Sequence, residues 1–205
     1  MDIIFSKYNI EIFKQNTLIL GAPTELKEKI KDDLSSKYLV IDNTYKYSTK
    51  TVGETITNFN FQVNNFDKIK DKEISELTFD EYYFLALLTK ISSKPKALVI
   101  DNLFGYLNQY QKNNIIRTAN TNNITLIIFD NELYDAYYDF DVIVVHENKT
   151  AIQGLFQDVV LEEKILKRLG YELPFYVDLS TQLKLYGKID KICYTKEELE
   201  DCLWK

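Results

Sequence analysis

The segment "GAPTELKE", from Gly21 to Glu28, has the spacing of a phosphate-binding loop between a strand and a helix. Such a loop needs a glycine for its turn, backbone amides around the phosphates, a lysine for the terminal phosphates and a hydroxyl for Mg²⁺. Gly21 and Lys27 occupy the first glycine and the lysine of the pattern G-x-x-x-x-G-K-[ST]. Leu26 replaces the second glycine and Glu28 replaces the hydroxyl residue, so an ordinary strand-to-helix turn is the alternative interpretation.

A second candidate is Asp101, which directly follows the apolar run at 97–100. A buried parallel strand that ends in a carboxylate can supply an oxygen ligand for Mg²⁺ at a phosphate site. The next residue is Asn102, whose amide cannot accept a proton at neutral pH. The run therefore predicts either a metal-binding carboxylate or a strand-end acid that caps the following turn.

Short apolar runs, which predict the strands that position these residues, alternate with helical segments through most of the chain. The runs after the half-exposed N-terminal region 1–13 are 17–20, 38–42, 97–100, 124–130 and 142–145. This alternation predicts an α/β fold with a mainly parallel sheet. After Gly154 the chain changes to amphipathic helical segments, which predict a small helical tail.

Composition restricts the classes of function. The 205 residues suffice for one domain with an appendage. A net charge of −6 and a pI near 5.0 argue against nonspecific nucleic-acid binding, because there is no global positive field. No apolar run reaches the roughly 18 residues that span a bilayer, so the expected location is cytoplasmic, including the inner face of the cell membrane.

Two further segments, one before Asp101 and one after it, have distinctive sequences. The segment "LTFDE" comprises Leu77, Thr78, Phe79, Asp80 and Glu81, and Asp101 lies 24 residues beyond Leu77. The second stretch is "LKRLGYELPFYVDLSTQLKLYG", near the C-terminus. With these segments, the chain from about Ile10 onwards resembles the ATP-binding subunits of ABC transporters. It is most similar to the energy-coupling factor branch, which drives vitamin and cobalt or nickel uptake.

This resemblance implies a P-loop NTPase-like core at 1–154, with a reduced helical subdomain in region 43–76. It also implies that 155–205 form a C-terminal helical segment through which two subunits dimerise. "LTFDE" stands where the family has its L-S-G-G-Q signature. The nucleotide-binding positions that the resemblance implies are Gly21, Lys27, Glu28, Asp42 and Asp101, with Asp101 as the Mg²⁺ ligand.

The chain departs from the family at the positions that carry the chemistry. The catalytic base of the family, which polarises the attacking water, falls on Asn102. The switch histidine falls on Asn131, and the Asp of the D-loop falls on Asn108. Phe79 and Asp80 replace signature glycines. The resemblance therefore implies ATP and Mg²⁺ as cofactors, whereas these substitutions argue against both and against hydrolysis in particular.

Three hypotheses remain open from the sequence. The first is a non-hydrolysing or weakly nucleotide-binding subunit or regulator of a transporter assembly. The second is a slow ATPase, powering metal or vitamin uptake through Lys27 and Asp101. The third is a dimeric scaffold that binds no nucleotide. The implied partners are a second copy or an intact ABC ATPase, together with a transmembrane transporter subunit, and no nucleic acid.

Overall fold

The structure is a computed structural model that describes residues 3–5, 10–12, 15–35, 37–57, 59 and 68–204. Its strands are β1 (Ile3–Phe5), β2 (Ile10–Ile12), β3 (Thr17–Leu20), β4 (Leu39–Ile41), β5 (Ala97–Asp101), β6 (Thr125–Asp130), β7 (Asp141–His146) and β8 (Lys149–Leu155). Its helices are α1 (Thr24–Ser35), α2 (Val52–Ile56), α3 (Phe79–Ser92), α4 (Gln109–Thr121), α5 (Phe156–Leu161), α6 (Glu163–Arg168), α7 (Phe175–Leu185) and α8 (Lys196–Leu203). Short 3₁₀ turns occur at Ile74–Glu76, Phe104–Tyr106 and Asp135–Tyr137.

The chain divides into two compact units. The central unit is Thr24–Phe129, and the terminal unit combines Met1–Pro23 with Asp130–Lys205. The domain division predicted after residue 154 and the reduced subdomain at 43–76 stay predictions.

In the central unit, β5 lies between β4 and β6 and is parallel to both. Ile100 is opposite Ile41 on one side and Ile128 on the other. All three isoleucines are buried, as expected for parallel strands that are covered on both faces. Helix α1 buries one apolar stripe and exposes Lys29, Asp32 and Asp33 on its outer face. This stripe consists of Leu26, Ile30 and Leu34.

In the terminal unit, β3 is parallel to β7, and β8 returns antiparallel beside β7. Glu147 and Asn148 join β7 to β8 with φ angles of 49° and 62°, which suit a tight hairpin. The C-terminal helices have a small buried cluster of their own, formed by Ile189, Cys193 and Leu199. No helix among the described residues is long and apolar enough to cross a membrane.

The α/β prediction with mainly parallel strands is confirmed. The predicted strands in the described residues form at their apolar runs, and α3 begins directly after Thr78, as its capping pattern predicts. The predicted short helix at 132–138 is only a 3₁₀ turn at Asp135–Tyr137. Strand β8 was not predicted, because its residues "KTAIQGL" lack an apolar run and none of them is fully buried.

Candidate functional site

The ends of β4 and β5 and one face of α1 bring charged side chains together in the central unit. Lys27 and Lys31 are one helical turn apart on α1, so both side chains lie on the same face. The Nζ of Lys27 is 3.1 Å from Oδ1 of Asp101, and the Nζ of Lys31 is 3.0 Å from Oδ2 of Asp101. These side chains are only 12–13% exposed. Both carboxylate oxygens of Asp101 therefore have an ammonium partner.

Lys31 also contacts two other carboxylates. Its Nζ is 2.8 Å from Oε1 of Glu28 and 3.7 Å from Oδ2 of Asp42, just beyond β4. Burial by itself would lower the pKa of Lys31, but hydrogen bonds to Glu28 and Asp101 raise it overall. We call Lys27, Glu28, Lys31, Asp42 and Asp101 the strand-end cluster. It holds two positive and three negative side chains.

Asp42 is fixed by its own turn as well as by Lys31. Its Oδ1 accepts hydrogen bonds from the backbone N–H of Thr44 at 2.9 Å and from the Thr44 hydroxyl at 2.6 Å. Burial would raise the pKa of Asp42, but the bonds from Thr44 and the charge of Lys31 outweigh burial and lower it. Asp42 is therefore a carboxylate that the fold keeps ionised.

Asn102 directly follows the cluster on the chain. Its backbone has φ +52°, a left-handed conformation that asparagine tolerates better than glutamate does, and its N–H donates to the carbonyl of Phe129 at 2.9 Å. The side-chain Oδ1 of Asn102 is buried and has no hydrogen-bond partner among the residues that the structure describes. The amide offers no proton acceptor of useful basicity beside Asp101.

The signature-like residues form a separate network in the central unit. The N–H of Thr78 donates to Oε2 of Glu81 at 3.1 Å, which helps to start α3. Asp80 accepts from the Thr78 hydroxyl at 2.6 Å and from Nε2 of Gln111 at 3.1 Å. These two bonds lower the pKa of Asp80, although its partial burial acts in the opposite direction. Phe79 is 75% exposed.

Helix capping explains Asn108, the residue at the D-loop position. Its Oδ1 accepts from the N–H of Gln111 at 3.0 Å, and its own N–H donates to Oε1 of Gln111 at 2.9 Å. Asparagine is among the preferred N-cap residues. The side chain is therefore committed to the start of α4.

Gly21 belongs to the terminal unit, where its requirement for glycine has a local cause. Its φ is +67°, and a Cβ there would collide with the hydroxyl of Tyr171 and would lie 2.7 Å from the carbonyl oxygen of Val145. Helix α1 begins at Thr24, so only Ala22 and Pro23 separate Gly21 from the helix. In the motif the lysine follows a glycine-rich loop, whereas here Lys27 lies inside the helix.

Asn131, at the switch position, is also in the terminal unit and is exposed. Its N–H donates to Oδ1 of the preceding Asp130 at 2.7 Å, and the hydroxyl of Tyr137 donates to Oδ2 of Asp130 at 2.6 Å. Asn131 lines a cleft of about 580 Å³ together with residues from Glu132 to Asp135 and from Gly170 to Phe175.

The structure thus brings together four of the predicted nucleotide-binding residues, namely Lys27, Glu28, Asp42 and Asp101. The prediction did not include Lys31, which contacts three of them. Its position four residues after Lys27 is the signal that was available, because residues at that spacing share a helix face.

The donor set does not fit Mg²⁺ with ATP in this arrangement. Magnesium needs free oxygen ligands, but both oxygens of Asp101 contact lysines, and Glu28 replaces the hydroxyl. The side chain of Leu26 fills the place of the second glycine and is 1% exposed. Across the described ranges, no group of three or more His, Cys, Asp or Glu side chains can hold a metal ion.

The chain is similar in sequence to curated ATP-binding proteins, although no protein-family model matches it. It is 26% identical over 141 residues to the energy-coupling factor transporter ATP-binding protein EcfA1 of Lactobacillus delbrueckii subsp. bulgaricus, which covers 66% of this chain and 50% of the relative. It is 24% identical over 143 residues to EcfA1 of Staphylococcus epidermidis, with coverages of 68% and 51%. The chain therefore spans about half the length of the curated relatives it matches.

Solved structures of ABC proteins have a similar fold. The cbiO1 protein of Clostridium perfringens, part of the ABC transporter complex cbiONQ, gives a TM-score of 0.55 at 15% identity and covers 82% of this chain and 91% of its own. A bacterial Atm1-family ABC exporter with ATP bound gives a TM-score of 0.61 at 14% identity, with coverages of 80% and 38%. The chain has the P-loop NTPase-like α/β fold of ABC ATPases, and in sequence it is related to energy-coupling factor ATP-binding proteins.

Proposed function

We propose that this chain is a degenerate ABC-type subunit that does not hydrolyse ATP at its own site. It acts as a partner or regulator in a transporter assembly of the energy-coupling factor type. The observation that carries the proposal is Asn102 beside Asp101. The family's catalytic residue acts as a base on the attacking water, and the amide of Asn102 at that position cannot accept the proton.

The strand-end cluster supports this proposal. Asp101 is bound by Lys27 and Lys31, so a nucleotide with Mg²⁺ has to separate two ion pairs before it reaches this carboxylate. Asp80 adds a negative charge at a signature-like position, and that charge would repel a partner's phosphates.

The role in an assembly is supported by the relatives and by the surface of the C-terminal segment. The curated relatives are named as ATP-binding proteins of energy-coupling factor transporters. The C-terminal segment exposes large apolar side chains, of which Phe175 is 64%, Leu185 83% and Trp204 86% exposed. Exposed apolar residues that form a contiguous patch are typical of protein interaction sites. We infer that this segment contributes to a homodimer or to a heterodimer with an intact ATPase, peripheral to a transmembrane subunit.

Phosphate release with Mg²⁺ and ATP tests this proposal. The expected rate for the purified chain is indistinguishable from buffer, with an active ABC ATPase as the assay control. Sustained release that Lys27→Ala abolishes, and that the exposed control Lys29→Ala leaves unchanged, would contradict the proposal. That result would support the alternative of a slow ATPase.

A scaffold that binds no nucleotide is the second candidate, and the start of α1 at Thr24 favours it. A helix that begins this early leaves no glycine-rich loop around a phosphate. Thermal unfolding with and without Mg²⁺ and ATP separates the two candidates. A ligand at 100 times its Kd adds about 2.7 kcal/mol to the free energy of unfolding, whereas a scaffold shows no shift at millimolar ATP.

A further inference from the structure

Lys31 has the surroundings of a bound cation. Its ammonium contacts carboxylates from three parts of the central unit: Glu28 on α1, Asp42 after β4 and Asp101 at the end of β5. The side chain is 12% exposed. Lys27 contacts only the other oxygen of Asp101, whereas Lys31 contacts all three acids.

Carboxylates that converge on one point recruit a cation because their charges repel one another. Proteins satisfy this requirement either with a hard metal ion, which prefers oxygen ligands, or with a basic side chain. A lysine ammonium is a compact point charge with three donors, so it can bind several carboxylate oxygens at once.

We propose that Lys31 is a tethered cation that occupies the position a divalent metal would need at Asp101 and Asp42. The cluster is held together without any metal, and Lys31 keeps Mg²⁺ away from these two carboxylates. A divalent ion entering the folded cluster meets two ammonium groups, and it finds both oxygens of Asp101 already bound. Loss of the Lys31 charge should therefore create affinity for a divalent ion at Asp101 and Asp42.

This inference deepens the proposed function, since it explains why the carboxylate at the strand end does not serve as a metal ligand. The proposed lack of hydrolysis and the proposed role of Lys31 can be disproved independently of each other. Phosphate release tests hydrolysis, whereas metal binding without nucleotide tests Lys31 alone.

The experiment measures Mn²⁺ binding to the full chain by calorimetry and by the electron paramagnetic resonance signal of free Mn²⁺. The variants are Lys31→Met, Lys31→Arg and, as a matched control, Lys29→Met on the exposed face of the same helix. We expect Mn²⁺ to bind about tenfold more tightly or better in Lys31→Met, because the repelling ammonium group is gone and the oxygens that it contacts become free. One or two carboxylates together with water then suffice for weak metal binding. Wild type, Lys31→Arg and Lys29→Met should stay alike. Circular dichroism checks the fold, and if Lys31→Met does not fold, Lys31→Gln carries the same test.

Three results would overturn the inference. One is equal Mn²⁺ affinity in wild type and Lys31→Met, including the absence of binding in both. Another is binding in Lys31→Met that persists when Asp101→Asn is added, because the new site must include Asp101. The third is a gain of binding in Lys29→Met equal to that in Lys31→Met, because general surface charge would then explain both.

Discussion

Asp101 and Asp130 each end a buried strand and each precede an asparagine, but the two carboxylates have different kinds of partner. Asp101, in the central unit, is bound by the ammonium groups of Lys27 and Lys31. Asp130, in the terminal unit, is 5% exposed and accepts hydrogen bonds from the Tyr137 hydroxyl and from the backbone of Asn131. The same sequence pattern, an apolar run followed by Asp-Asn, therefore supports both an ion-pair cluster and a hydrogen-bonded carboxylate.

This difference shows two ways in which the fold stabilises a largely buried carboxylate at the end of a strand. A carboxylate that leaves water requires either opposite charge or several hydrogen-bond donors. Burial raises the pKa of Tyr137 well above its ordinary value, with the nearby Asp130 charge adding to this, so the phenol remains a donor. At Asp101, a ligand would have to displace the lysine ammonium groups before it could bind the carboxylate. At Asp130, the carboxylate is buried and accepts hydrogen bonds from neighbouring residues.

The largest expected effect comes from Asp101→Asn, which leaves Lys27 and Lys31 without the carboxylate that pairs both. We expect the free energy of unfolding to fall by about 3 kcal/mol, since the largely buried Lys27 loses its carboxylate partner and Lys31 keeps only Glu28 and Asp42. Urea denaturation measures this loss. The matched control is Asp32→Asn, an exposed acid on α1, with an expected change within about 0.5 kcal/mol. Equal effects of the two substitutions would show that the ion pairs at Asp101 contribute no more than a surface charge.

A smaller loss is expected from Tyr137→Phe, which removes the hydroxyl that donates to Asp130 and leaves the ring in place. The cost should be about 2 kcal/mol, the typical range for a hydrogen bond to a charged group in a buried site. The control is the neighbouring Tyr138→Phe, whose hydroxyl is 3.4 Å from Oε1 of Glu198 and is only part-buried. If Tyr137→Phe lowers the free energy of unfolding more than Asp101→Asn does, the ion pairs at Asp101 do not contribute more to stability than the Tyr137 hydrogen bond at Asp130.

The smallest effect concerns pH and Asp42, whose pKa is lowered from the ordinary 3.8. A lowered pKa in the folded state means that this carboxylate stabilises the fold above its ordinary pKa. The contribution is lost as the pH falls through the lowered value. We expect the melting temperature of wild type to fall more steeply below about pH 4 than that of Asp42→Asn. Parallel slopes for the two proteins, with exposed Asp71→Asn as a reference, would remove Asp42 from the charged network.

Local signals in the sequence predicted much of the fold, because they act over a few residues. The apolar runs place β3, β5, β6 and β7, and Thr78 with Glu81 places the start of α3. The hairpin strand β8 was missed, since it is stabilised by its pairing with β7 and carries no buried apolar run of its own. The candidate site was predicted in part. Lys27 and Asp101 do meet, whereas the central role of Lys31 was not foreseen.

The sequence by itself determined the chemistry that each position can offer. Asn102 cannot serve as a base in any fold, and Glu28 carries a carboxyl group where the motif has an alcohol, because these properties belong to the side chains. Only the tertiary structure decided which groups meet. It brought Lys31 to Asp42 and Asp101, Tyr137 to Asp130 and Tyr171 to Gly21. The physical reason is range: ion pairs and hydrogen bonds act over a few ångströms, and packing alone brings residues distant in the chain within that distance.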